Sequence, residues 1–221
     1  MTQAPLSSEA EVRPSGGTPE SPEDALRANT YGLLGHLLAA PPTDESLALL
    51  ARINDDADGS ADLLAAAWQM LRQAAGKANP VELEDEFHDL FTGMGRGELM
   101  PYGSWYLTGF LMELPLAKLR SDLKELGFQR QEGVNEPEDN AAALCEVMSM
   151  ICTGEQSAQG HFFQRHIAPW MQRFFRDLQE APSARFYRAV GQLGEQFMEV
   201  EMEYLRFWEH PEPAATGERK N

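Results

Sequence analysis

Phe186-Tyr187-Arg188-Ala189-Val190-Gly191-Gln192-Leu193-Gly194-Glu195-Gln196-Phe197-Met198-Glu199-Val200-Glu201-Met202-Glu203-Tyr204-Leu205-Arg206-Phe207 is the stretch on which the architecture turns. Phe186, Val190, Leu193, Phe197, Val200, Tyr204 and Phe207 recur at spacings of three and four, so they make one apolar stripe along a helix. A helix of that length with one dry face needs other helices to cover it. The rest of the chain supplies them. Ser21-Pro22-Glu23-Asp24 reads as a helix start: a capping hydroxyl, proline in the first turn, then acids at the positive helix end. The helix it opens carries Leu26, Tyr31, Leu33, Leu34, Leu37 and Leu38 and stops at Pro41-Pro42. Thr43 and Ser60 are expected to cap the next two helices, with Leu47, Leu50, Leu63, Leu64, Trp68 and Leu71 facing inward. Asn79-Pro80 opens a further one that runs to about Phe91.

After the glycines Gly93, Gly95 and Gly97, a helix is expected from about Ser104, broken or kinked by Pro115 and ended by Gly127. Gln129 to Asn135 reads as a polar connector, and Pro137 as the opening of a helix bearing Leu144, Val147, Met148 and Ile151. No alternating strand pattern occurs. The expectation is therefore an all-α protein, a single helical globule of about eight to ten helices spanning 22–209. Its two helical halves join near 129–136, and the Pro-, Ser-, Gly- and Glu-rich tails at 1–21 and 210–221 are expected to be disordered.

Composition narrows function. Eighteen basic against 35 acidic residues give a net charge of −17. Such a surface repels nucleic-acid phosphates and anionic membranes and attracts cationic segments. The longest apolar run, Tyr31 to Ala40, is half of what a bilayer requires, and the start carries no secretory pattern, so a soluble cytoplasmic protein with no stable membrane insertion is expected. Cys145 and Cys152 lie seven residues apart in a helical pattern. That rise of about 10 Å is too great for a disulfide, so two reduced thiols are expected.

Catalytic and metal patterns are thin. The glycine loop at 93–97 follows no strand and ends in no Lys-Ser/Thr pair, which argues against a phosphate cradle. Glu84 and His88 are four apart, and His161 and His166 five, neither of which is the repeated Glu-x-x-His of a di-iron bundle. Ser104 and Cys145 lack the partners that would activate them. No catalytic or metal residue is expected, and no stably bound cofactor.

Two segments stand apart. Met100-Pro101-Tyr102-Gly103-Ser104-Trp105-Tyr106 crowds aromatics that cannot all share one helical face, and Tyr and Trp suit a half-wet groove. Packing between helical layers explains them as well. Glu136-Pro137-Glu138-Asp139-Asn140 places three carboxylates where a helix begins. They either stabilise the helix end or pair with a ligand's arginines, for which a carboxylate offers two parallel bonds.

On these residues the chain resembles the TorD/DmsD/NarJ family of redox-enzyme maturation chaperones, over roughly residues 25 to 208. Phe87, Leu90, Phe91, Pro101, Tyr102, Ser104 and Tyr106 match one family pattern, and Glu136, Pro137 and Asp139 match a Glu-Pro-Asp-Asp-His signature. Glu138 is a conservative change there. Asn140 stands where the family usually has histidine, and Phe87 stands in place of a tyrosine. Pro169-Trp170 and Phe186-Tyr187 add a looser likeness. The resemblance implies a non-enzymatic cytoplasmic chaperone. Its partner is the catalytic subunit of a molybdoenzyme, through its twin-arginine leader or its body, held while molybdopterin cofactor is inserted. The client's cofactor is contacted at most transiently. Formate dehydrogenase and dimethyl-sulfoxide or trimethylamine-oxide reductases are compatible clients. A NarJ-like role for a non-exported subunit is the alternative, followed by a metal-dependent helical-bundle enzyme. Monomer and domain-swapped homodimer both fit. The peptide-binding set is expected to be Phe87, Pro101, Tyr102, Ser104, Trp105, Tyr106, Glu136, Asp139 and Asn140, with Glu136 and Asp139 for arginines.

Overall fold

The computed structural model describes residues 21–53, 62–93, 97–129, 136–154 and 156–209; the expected tails, the middle of the glycine loop and most of the connector near 129–136 lie outside them. Among the described residues are ten α-helices and one π-helical turn, with no strand beyond an isolated bridge. The helices are α1 Pro22–Ala39, α2 Asp44–Leu50, α3 Leu63–Ala75, α4 Pro80–Phe87, α5 Gly103–Thr108, α6 Leu114–Glu125, α7 Ala141–Ile151, α8 Gln156–His166, α9 Met171–Glu180 and α10 Phe186–Glu209. The π-helical turn, His88–Thr92, continues α4.

The expected starts hold where a capping side chain stands before the helix. Ser21, Thr43 and Asn79 each accept a backbone N–H from the first turn of α1, α2 and α4. For α3 the cap is Asp62, which accepts from Leu64 N at 3.0 Å, while Ser60 lies outside the described residues. Leu63, expected inside, is exposed: it occupies the first position of α3, before the helix has turned its dry face toward α10. Leu26 of α1 is exposed for a similar reason, since the buried face there runs through Arg27, Ala28, Tyr31 and Leu34.

α10 is the spine, packed on α3, α8 and α9, while α1 lies along α7. Helices from the two sequence halves therefore cover each other. The stripe is buried at Phe186, Val190, Leu193 and Phe197. Contact with α9 is close enough that a Cβ on Gly194 would run into the ring of Phe175. At the far end the stripe changes character. Val200 faces out and its neighbour Glu201 is wholly buried. Glu201 takes two bonds from Arg27 (Nε 2.6 Å, Nη2 2.9 Å) and one from the Tyr31 hydroxyl at 3.0 Å. Arg27 also reaches Asp24 and Gln159, so one guanidinium ties α1, α8 and α10 together. The near end of α10 is closed from outside the helix. Glu86 of α4, itself buried, accepts the backbone N–H groups of Arg185, Phe186 and Tyr187, three donors that no helical carbonyl can reach.

The segment after Ser104 is in two pieces, as an expected break allows, but the break falls at Gly109 and not at Pro115. α5 ends at Gly109, whose φ of +81° gives a left-handed stop, and α6 starts anew with Pro115 in its first turn.

Candidate functional site

The two motifs singled out in the sequence meet. Gly103 N donates to Asp139 O and Ala141 N to Pro101 O, both at 2.8 Å, making a short antiparallel bridge between Tyr102 and Asn140. Side chains extend it. Asp139 Oδ2 accepts the Ser104 N–H at 2.7 Å, which caps α5 from a distant part of the chain. The Tyr102 hydroxyl donates to Glu136 Oε1 at 2.6 Å, and Asn140 Nδ2 donates to the same oxygen at 2.9 Å. Asn140 Oδ1 accepts from Ala142 N, so asparagine caps α7 while bracing Glu136. Burial, with the Glu136 carboxylate beside it, pushes the Tyr102 phenol well above its usual range, so it stays a donor.

Pro101, Tyr102, Ser104, Glu136, Asp139 and Asn140 are thus brought together. Asp139 and Ser104 are inside, however, and Asp139 Oδ1 and Ser104 Oγ have no hydrogen-bond partner among the described residues. Trp105 and Tyr106 point elsewhere. They line a cleft with Glu98, Arg173 and Asp177. Tyr106 donates to Asp177 at 2.9 Å, stacks against Trp170 and lies under the Arg173 guanidinium. Phe87 packs on Phe91 and Tyr187, in the contact between α4 and α10. The expected surface is therefore divided among three places.

The acidic half of the motif borders a wide opening. A groove of about 800 Å3 runs between α6 and α7. Leu123, Phe128, Ala143, Val147 and Met150 give it apolar walls, and Glu136, Pro137, Glu138 and Glu146 stand along it with Arg120 and Lys124. Arg120 holds Glu138 Oε2 through two nitrogens, at 3.0 and 2.8 Å. Sequence reasoning missed the apolar walls. Of the wall residues, Val147 stood in the apolar pattern expected of α7, where it read as ordinary core at helical spacing.

Among the described residues no group of three or more His, Cys, Asp or Glu could hold a metal ion, and no helix is long and apolar enough to cross a membrane. Burial pushes the Cys152 thiol up to about 12, and Cys145 higher still, so both sulfurs are packing groups rather than nucleophiles.

The geometry by itself amounts to an all-helical body with an apolar groove and a carboxylate-bearing margin. The family is more specific. The model of the nitrate reductase delta subunit family matches residues 57–176, over half of the chain, and the chain belongs to that family. It is 23% identical over 204 residues to the chaperone protein TorD of Shewanella pealeana, covering 84% of this chain and 92% of the relative. It is 27% identical over 203 residues to the chaperone protein TorD of Aliivibrio fischeri, covering 81% and 94%. A third relative, the chaperone protein TorD of Vibrio vulnificus, is 28% identical over 139 residues, 57% of this chain and 65% of its own.

Proposed function

We propose that the protein is a non-enzymatic chaperone of redox-enzyme maturation, which holds the N-terminal leader of an oxidoreductase subunit in the α6–α7 groove. The observation that carries this reading is the groove itself: about 800 Å3 with apolar walls, beside Glu136, Glu138 and Glu146. A twin-arginine leader has the complementary order, cations followed by an apolar stretch. Its apolar part covers Leu123, Phe128 and Val147, while a leader guanidinium competes with Arg120 for Glu138. Asp139 contributes from beneath, by fixing α5 against the start of α7. The net charge of −17 draws such a leader in before contact. The client stays in the cytoplasm until its molybdopterin cofactor is in place; formate dehydrogenase and dimethyl-sulfoxide or trimethylamine-oxide reductase types carry suitable leaders. The chaperone names of the relatives support the non-enzymatic role.

The family description favours a second reading, in which the client is a nitrate-reductase type subunit that is not exported. The groove then takes an N-terminal segment without paired arginines. Fluorescence anisotropy with a labelled twin-arginine leader separates the two. Under the first reading binding weakens as salt rises from about 50 to about 300 mM, and Phe128→Ser weakens it about tenfold. Equal affinity for a leader with both arginines changed to alanine would remove the arginine-specific reading.

A further inference from the structure

Between α5 and α6 the chain turns its apolar side chains to water. Phe110 is 68% exposed, Met112 70% and Leu114 73%, with Leu107 and Leu111 also exposed. Met112 has φ +60°, a left-handed backbone that is strained for a non-glycine residue. The fold thus holds these side chains outward at some cost, and several large apolar side chains exposed on one short segment are what an interaction site offers.

The lip borders a separate cleft of about 160 Å3, with Leu107, Pro115, Leu119 and Trp170 among its walls. It shares no lining residue with the α6–α7 groove. The cleft suits one large apolar side chain. Its charges are arranged oppositely to the groove's. Asp139 lies at the floor, 3% exposed, with one oxygen on the Ser104 N–H. At the mouth stand Lys118, which makes no ion pair among the described residues, and Arg165, 43% exposed and 3.4 Å from Asp122. On a chain of net charge −17 this mouth faces solvent with cations.

We propose that this cleft and lip form a second docking surface, for a polypeptide segment in which a large apolar side chain is flanked by carboxylates. The apolar side chain enters between Leu107 and Trp170, and its acidic neighbours meet Lys118 and Arg165. Glu113 on the lip keeps those acids on the cation side. Such a segment is the electrostatic inverse of a cationic leader, so one client can engage both places through different parts of its chain.

The test uses the full chain and a short fluorescein-labelled peptide with a leucine pair flanked by glutamates, alongside a counterpart with lysines for glutamates. Saturable binding of the glutamate peptide is expected, weakened about fivefold or more by Lys118→Glu and by Leu107→Ser, and weakened by salt. Phe128→Ser should leave it unchanged. Both substituted cleft residues are exposed, and circular dichroism checks that the variants fold. The proposal is overturned by an absence of saturable binding, by indifference to both cleft variants, or by loss in Phe128→Ser, which would put the peptide in the groove. Binding of the lysine peptide that is equally sensitive to Lys118→Glu would also overturn it. A leader titration run in parallel responds to Phe128→Ser and is not weakened by Lys118→Glu, so failure of either assignment is seen independently of the other.

Discussion

Arg27 and Arg120 each hold a glutamate, one pair sealed in the interior and the other at the surface. Arg27 and Glu201 are sealed, with side chains 6% and 0% exposed; Arg120 and Glu138 stand at 49% and 17%. The buried guanidinium uses both carboxylate oxygens of Glu201 and sends its two Nη1 donors to Asp24 and Gln159, and it lies 4.3 Å from the centre of the Tyr204 ring. The outer one bonds a single oxygen of Glu138 through two nitrogens. Desolvated charges survive only when every donor and acceptor is answered, and such a set resists exchange. A pair half in water is worth little and can trade partners. The first pair is therefore architecture. The second can yield its carboxylate to an incoming arginine.

The largest test of that contrast is Arg27→Met. It leaves Glu201 and Asp24 buried without their cation, and removal of one partner from such a set costs about 3–5 kcal/mol. Urea unfolding followed by circular dichroism should register most of that loss. A change below about 1 kcal/mol would make the sealed pair no stronger than a surface one. A smaller effect is expected of Asp139→Ala. It strands the Ser104 N–H at the start of α5, for about 1–3 kcal/mol, with faster amide exchange confined to residues near Gly103–Thr108. Global unfolding without local loosening would show that Asp139 does something other than cap. Smaller still is Glu138→Gln, which should change stability by no more than about 1 kcal/mol while weakening leader binding severalfold. If stability falls and binding does not, the two arginine pairs have been assigned in reverse.

Local signals in the chain carried the fold. Ser21, Thr43 and Asn79 cap the helices they precede, and the stripe from Phe186 to Phe197 faces the core, because a cap or an apolar period depends on residues within a few positions. Pro115 sets the expected break a few residues late for the same reason. Phe110-Leu111-Met112 continues an apolar helical pattern, and only the left-handed turn at Gly109 and the outward packing separate α5 from α6. Buried carboxylates were illegible. Glu201 finds Arg27 across 174 positions of sequence, and Glu86 finds Tyr187 across 101, distances at which no pattern speaks. The site was legible in part. Pro101 to Ser104 and Glu136 to Asn140 do meet, but the apolar walls of the groove come from α6 and α7, whose leucines, valine and methionine look like any other core face.

His166 and Asp122 occupy the ground between the sealed pair and the outer one. Both residues are buried, yet their bond lies beside the solvent-facing cleft, with Nε2 and Oδ2 2.6 Å apart. Around the imidazole stand Asp122, Arg165 and His161, the Phe162 ring, and Trp170, whose indole N–H donates to the His166 carbonyl. Burial lowers the pKa of His166 below its usual value, and this outweighs the attraction of Asp122. The folded protein therefore holds this ring neutral at a pH where the unfolded chain, titrating near about 6.5, has begun to take up a proton. More protons bound to the unfolded state means that stability falls as pH drops from that value towards the folded pKa, with no contribution to the slope above it. His166→Gln keeps a donor for Asp122 and removes the titration. Its urea midpoint should fall less steeply than the wild type's as pH is lowered below about 6.5, while the two curves run parallel above. Parallel curves throughout would mean that His166 protonates equally in both states, as an exposed histidine does, and that the cleft wall is wetter than its burial implies.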